Sequence, residues 1–394
     1  MNKKMFSLSM PKGFSKIIHA SILILTFFGV FMIVSANATI NALEWTVLLT
    51  VIIKELIFIV ASYVLMVFVA RNFSLKRLSK FYFPLLLFTL GLLVATQFFS
   101  PMGGARAWIR LGPISIQPSE FAKVMVILVM AESFGDKKNP KLKFDQLATH
   151  PFVVVAIIVF IVFIMQSDFG SAAIIALIAL LTFMTYSNKI LRKWQTVLFV
   201  LFVLGIVVMV LSTSTVFMNF LGNFTFIPEY MIDRFRVSAN PFMDRHNAGA
   251  QIFNGLAAFV SGGLFGVGYN KGFLKFSFIY ASESDSILAV IVEELGFVFG
   301  FMPIIIFYAI IIFQLMKYTF LVESEKDKTI LIGTIAYIFV HFLFNVGGVT
   351  AFIPLTGVPL LFISAGGSSR LAIMLAIGLC QNVISRYKRS LVKL

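Results

Sequence analysis

The sequence predicts an all-α polytopic membrane protein of about ten spans, with both termini in the cytoplasm. Three observations predict it. Of the 394 residues, 59% are hydrophobic and only 12% are charged, with a mean hydropathy of +0.97. A soluble domain of this length has no use for so much apolar surface. Apolar runs of about 20 residues, the length that crosses a bilayer as a helix, recur along the chain. Lys and Arg also concentrate in alternate connections, the pattern of loops retained on the cytoplasmic side.

The spans fall at 17–36, 48–70, 81–99, 118–134, 151–166, 169–187, 194–213, 286–316, 329–350 and 367–386. The N-tail, 71–80, 135–150, 188–193, 317–328 and the C-tail together hold 22 of the 32 basic residues. That share places all six segments inside and requires an even number of crossings. The net charge of +15 is therefore a topology signal, and nucleic acid is not an expected partner. Ser35-Ala36-Asn37-Ala38 after the first span resembles a signal-peptidase site, but the span is long for a signal peptide and the even count needs it. Lys54-Glu55 in the second span reads either as an interfacial pair or as a sign that the span starts later. Cys380 is the single cysteine, so no intrachain disulfide can form.

The third connection lies outside and runs from Pro101 to Lys123. Gly103, Gly104 and Gly112 allow tight turns, and Pro113 and Pro118 fix direction. Arg106 and Arg110 stand on the face where basic residues are disfavoured. They suit an anion such as a pyrophosphate, or they snorkel to head groups. Trp108 is an interface anchor or part of a sugar site. Glu120 and Lys123, three apart on one helical face, can neutralise each other within the bilayer, a structural reading favoured over a catalytic one. Asp168, in the short turn Gln166–Ser171, is a second carboxylate at the outer mouth or a helix cap.

Residues 214–285 form one large outer loop, too long to be without function if it has no structure of its own. It contains Arg234, Arg236, Arg245, Lys271 and Lys275. Ile252–Gly268 is apolar but Gly-rich, and reads as a re-entrant or interfacial element over a cavity. The stretch Phe276–Gly296, FSFIYASESDSILAVIVEELG, then carries Asp285 into the eighth span. At ~100° per residue, Glu293 lies ~80° round the helix from Asp285 and Glu294 lies opposite it. Asp285 and Glu293 can thus share a cavity wall, while Glu294 is expected to pair with a neighbouring helix. Asp285 is a cap or a functional acid on these grounds alone. In Phe344–Arg370, Gly, Pro, Ser and Thr crowd a region at membrane depth, which is tolerated only where backbone is buried in protein or lines a polar cavity.

Four blocks together resemble the SEDS family of bacterial wall polymerases, the relatives of RodA, FtsW and SpoVE. They are GARAWIRLGPISIQPSEFAK at 104–123, QSDFGSA at 166–172, the 230–296 region ending in Asp285 and EELG, and FNVGGVTAFIPLTGVPLLFISAGGSSR at 344–370. The resemblance covers essentially the whole chain and implies a single integral membrane domain, 1–394. Where the family commonly reads Pro-Glu-x-His-Thr-Asp-Phe, this chain has Tyr280-Ala-Ser-Glu-Ser-Asp285-Ser; the Pro and His are absent and the carboxylate is kept.

The resemblance implies a peptidoglycan glycosyltransferase of the bacterial cytoplasmic membrane that polymerises lipid II in division or elongation. It also implies a class B penicillin-binding transpeptidase as partner, among other divisome or elongasome membrane proteins. Asp285 would be the essential carboxylate, acting as general base on the acceptor sugar's 4-hydroxyl. Some of Arg106, Arg110, Arg234, Arg236, Lys275 and Arg370 would stabilise the departing lipid pyrophosphate. No nucleotide cofactor is implied, since the lipid pyrophosphate is itself the activated donor. A divalent cation, Mg or Mn, could bridge the pyrophosphate, although no cluster of metal ligands in the sequence demands one. The rival readings are a lipid II flippase and a non-catalytic scaffold for the transpeptidase.

Overall fold

The structure is a computed structural model. It describes residues 9–37, 45–102, 104–112, 114–134, 150–186, 191–211, 236–240, 242, 249–276, 279 and 281–392. Arg234 lies outside the described residues, as do most of the first half of the large loop and the 135–149 connection.

The chain is built from helices: α1 (Lys16–Ala36), α2 (Trp45–Asn72), α3 (Leu75–Ala95), α4 (Pro118–Phe134), α5 (Pro151–Phe160), α6 (Phe169–Met184), α7 (Arg192–Leu211), α8 (Ala250–Gly262), α9 (Ile287–Gly296), α10 (Met302–Leu321), α11 (Glu325–Val349) and α12 (Gly367–Leu391). Each predicted span has its helix. Among the described residues, six helical stretches are long and apolar enough to cross a membrane by themselves, with α9 and α10 counted as one continuous stretch. The distribution of side chains inverts that of a soluble protein. Phe27, Phe81, Phe88, Phe313 and Phe320 face outward, while Glu55, Glu120, Lys123, Glu294 and Arg370 lie inside. Lipid supplies no hydrogen bonds, so charge is driven inward to partners and apolar rings outward.

α4, α11 and α12 form the centre. Gly333 on α11 lets that helix approach α4, since a Cβ there would meet Ile127 at 2.7 Å. α12 runs against α2 so closely that a Cβ at Gly378 would lie 2.7 Å from the Met66 carbonyl. The start of α1 lies beside the second half of α12. Ser15 N–H donates to Gln381 Oε1 at 2.8 Å, Gln381 Nε2 returns a bond to the Ser15 carbonyl at 3.1 Å, and Ser385 Oγ donates to the Lys12 carbonyl at 2.7 Å.

The eighth span departs from expectation. Instead of one helix, α9 stops at Gly296, whose φ of +75° is left-handed, and a wide π-type turn at Phe297–Phe301 leads into α10. The loop after α8 repairs the break. Val267 and Gly268 N–H donate to the Glu293 and Glu294 carbonyls, each at 2.9 Å. Phe297 and Val298 N–H donate to the Gly263 and Leu264 carbonyls, also at 2.9 Å. Main chain from the Gly-rich stretch thus satisfies the groups that the helix break frees, as backbone at membrane depth requires. The approach is possible because position 262 is glycine; a Cβ there would lie 1.9 Å from the Val292 carbonyl oxygen. The predicted re-entrant element is therefore a helix plus a backbone stitch into the broken span.

Candidate active site at the Asp285 turn

Residues 281–286 form a compact turn. Ala281 takes a left-handed φ of +53°, and its carbonyl accepts from Ser284 N at 3.0 Å and Ser286 N at 3.2 Å. α9 begins at Ile287 with Ser286 in the capping position, so Asp285 lies one residue before the cap. Its half-buried carboxylate accepts the Ser284 hydroxyl on Oδ1 at 2.8 Å, and its Oδ2 faces Gly357, where a Cβ would come within 3.4 Å. Three successive carbonyls of the turn are held from afar. Glu283 O accepts from Ala365 N at 2.8 Å, Ser284 O from Ser364 Oγ at 2.6 Å, and Asp285 O from Asn345 Nδ2 at 2.8 Å.

A short hairpin stands at the same end of the bundle. Strands β1 (Ile109–Leu111) and β2 (Ile114–Ile116) pair antiparallel, Arg110 opposite Ser115, around Gly112 with its φ of +63°. Alternation along the strand buries Ile109 and exposes Arg110. Arg106 is also exposed, and its N–H donates to the Gln166 carbonyl at 2.9 Å; Trp108 is half-buried. Among the described residues neither arginine makes an ion pair. Asp168 caps α6, with Oδ1 accepting from Ser171 N at 3.0 Å and Oδ2 from Gln117 Nε2 at 2.9 Å. Both its oxygens are thereby occupied, which is the capping role. The 356–358 strip closes the ring, because Thr356 packs on Gly170 next to the Asp168 cap while Gly357 faces Asp285. The strip thus links the Asp168 and Asp285 turns, and Arg106 N–H and Gln117 tie the hairpin segment to the Asp168 turn, so that all four stand at one mouth of the bundle.

Several predicted residues lie elsewhere. Lys275, expected at the substrate, is buried in an ion pair with Glu294 at 2.7 Å and also donates to Ser35 Oγ at 2.9 Å and Asn270 Oδ1 at 2.6 Å. Arg370, likewise expected there, is buried against Glu55 at 2.6 Å and donates to the Ser364 carbonyl at 3.0 Å. A long side chain held by a buried countercharge is not available to an outer ligand. Glu55 therefore lies inside a helix that starts at Trp45, with its charge met by Arg370. Glu293 does not share a wall with Asp285, because its Oε1 accepts from Phe273 N and Leu274 N at 2.9 and 3.1 Å. Glu294 reaches Ser35 on α1 as well as Lys275. Glu120 and Lys123 do pair, at 2.7 Å, and the cluster extends to Tyr337 and His341 at 2.9 Å each. Arg236 is exposed on a turn of helix at 236–239. Sequence reasoning missed Asn345 and Ser364; their signal was only that both are polar residues within an apolar or Gly-rich segment.

The family model of the cell cycle proteins FtsW, RodA and SpoVE matches residues 15–390. The chain belongs to this family. A relative from Bacillus subtilis (strain 168), named "Probable peptidoglycan glycosyltransferase FtsW", is 31% identical over 76% of this chain and 72% of its own length. One of the same name from Geobacter metallireducens is 29% identical over 92% of both chains. The Stage V sporulation protein E of Bacillus subtilis, also in the family, is 29% identical over 73% of each. Among solved structures, a chain from a work on the "structural coordination of polymerization and crosslinking by a peptidoglycan synthase complex" superposes with a TM-score of 0.71. It has 20% identity, over 95% of this chain and 99% of that one. The Thermus thermophilus rod shape determining protein RodA gives 0.61, at 20% identity over 95% and 97%. These likenesses establish that the family's fold is present here.

Proposed function

We propose that this chain polymerises lipid II into glycan strands at the outer face of the bacterial cytoplasmic membrane, with Asp285 as the general base. It is a peptidoglycan glycosyltransferase of the division, elongation and sporulation family. The observation that carries the residue assignment is the Asp285 turn itself. A half-buried carboxylate stands on a turn whose backbone is held by three distant tethers, at the same end of the bundle as two exposed arginines that make no ion pair among the described residues.

In this reading the Asp285 carboxylate takes the proton of the acceptor sugar's 4-hydroxyl as that oxygen attacks the donor's anomeric carbon. The bond from that carbon to the pyrophosphate oxygen breaks, and the lipid pyrophosphate leaves with the electron pair. A single displacement inverts the anomeric centre and yields a β-linkage. Arg106 and Arg110 would stabilise the leaving phosphate electrostatically. The described residues contain no group of three or more His, Cys, Asp or Glu that could hold a metal. A divalent cation at the pyrophosphate would supply further positive charge to the leaving group.

The start of α1 beside the second half of α12 and the basic connections support cytoplasmic termini and an even number of crossings, ten in this reading. A class B penicillin-binding transpeptidase is the expected companion, a reading supported by a solved neighbour named for a synthase complex that coordinates polymerization with crosslinking. The test is lipid II polymerisation by the purified chain with its cognate transpeptidase in liposomes, with moenomycin silencing contaminating polymerases. Wild type should form strands and a folded, partner-bound Asp285→Ala should form none. Equal activity in both would move the base elsewhere.

A further inference from the structure

We propose that Asn345 and Ser364 are positioning residues for Asp285, with the Glu55–Arg370 pair holding Ser364 in place; this rests on the reading of Asp285 as the base. An isolated turn is usually closed by its own local bond. This one also has three consecutive carbonyls taken by donors 60 to 82 positions away in sequence. Two of those donors are buried side chains, Asn345 on α11 and Ser364 in the turn before α12.

Asn345 has a second connection. Its Nδ2 also donates to the Val358 carbonyl at 2.8 Å. One amide group therefore ties the backbone of Asp285 to the strip whose Gly357 faces the Asp285 carboxylate. The separation between the Asp285 turn and the strip is set through this side chain.

Ser364 is held on both sides. Its hydroxyl donates to Ser284 O and accepts from Leu360 N at 2.8 Å, while its carbonyl accepts from Arg370 Nη2 at 3.0 Å. Arg370 is in turn fixed by Glu55 Oε2 at 2.6 Å. A charge on α2 thus reaches the catalytic turn through three hydrogen-bonded links, without touching the mouth. Misplacing a reacting group by about 1 Å can cost ~10²-fold in rate, so such a framework acts on turnover more than on binding.

The test compares Asn345→Leu, Ser364→Ala, Ser364→Thr and Asp285→Ala in the full chain with its transpeptidase, measuring kcat and KM for lipid II and thermal unfolding. For Ser364→Ala and Asn345→Leu, the expected result is a roughly 10- to 100-fold fall in kcat, with KM within about twofold. Ser364→Thr, which keeps the hydroxyl, should recover most of the rate while unfolding at the same temperature as Ser364→Ala. Full turnover in Ser364→Ala, with Asp285→Ala inactive, would overturn the positioning role alone. So would a change confined to KM, or a loss that follows unfolding temperature and is not relieved by threonine. Activity in Asp285→Ala would overturn the base assignment and the positioning role with it.

Discussion

The buried pair Lys275–Glu294 offers the sharpest test of how the broken span is held. Neither side chain has exposed surface, and their charged atoms are 2.7 Å apart. Replacing Lys275 with Met removes the only cation bonded to Glu294 among the described residues and leaves that carboxylate with the Ser35 hydroxyl and the Asn270 N–H. Removing one partner of a buried pair costs about 3–5 kcal/mol, because the remaining charge is stranded without water. Replacing both, as Lys275→Met with Glu294→Gln, removes both charges and keeps the hydrogen bonds to Ser35 and Asn270, so most of that loss should return. At ~2.1 cal/mol/K per residue, 394 residues have an unfolding entropy of ~0.8 kcal/mol/K, which makes the single-mutant loss about 4–6 °C in unfolding temperature. Thermal unfolding in lipid nanodiscs, followed by intrinsic fluorescence, reads the shift directly. The double variant should also polymerise lipid II, since neither residue belongs to the mouth. A Lys275→Met variant within about 1 °C of wild type, or a double variant no more stable than the single, would refute the reasoning.

Other changes separate mouth from scaffold. Arg106→Ala and Arg110→Ala, both exposed, should leave unfolding temperature unchanged and lower kcat/KM for lipid II roughly 5- to 30-fold each, for about 1–2 kcal/mol of lost charge-assisted bonding to the leaving phosphate. Steady-state kinetics at low and high salt would check it, and an unchanged kcat/KM would remove them from the substrate. Gly262→Ala should cost about 3 kcal/mol or more, because its Cβ would sit 1.9 Å from the Val292 oxygen and two backbones would have to separate. The yield of monodisperse protein and its unfolding temperature measure that. Glu120→Gln leaves the Lys123 ammonium buried without its countercharge, and should lower stability by about 3–5 kcal/mol in the same unfolding assay.

The helices were legible because a bilayer imposes one rule on every crossing: about 20 apolar residues with all backbone groups bonded internally. The positions of charges were legible too, but not their partners. Lys275 reads as one of several loop cations, and only the fold brings Glu294 and Ser35 to it. Arg370 likewise reads as a free cation at the mouth until α2 is laid along α12 and Glu55 meets it. The break at Gly296 left no periodic trace, because it is a backbone crossing with a loop some 30 residues earlier and glycine is its only local sign. Strands of three residues are too short to alternate visibly, so the hairpin that exposes Arg110 was hidden among turn residues.

Where the charges sit also bears on what the molecule does. A translocation path for an anionic lipid head group needs polar groups that can exchange partners through the membrane depth. Glu120 is bonded to Lys123 and Tyr337, Glu294 to Lys275 and Ser35, and Arg370 to Glu55. Each joins one helix to another or to the loop that repairs the break, and opening any of them would strand a charge in a medium of low dielectric. Arg106 and Arg110 are different, exposed and without ion pairs among the described residues, at the end of the bundle where the Asp285 carboxylate is held. The buried charges are closed on one another, while the two exposed arginines are open to a ligand. That division is what a transferase requires when it works on a head group already at the membrane surface, and it is the reverse of what a conduit requires.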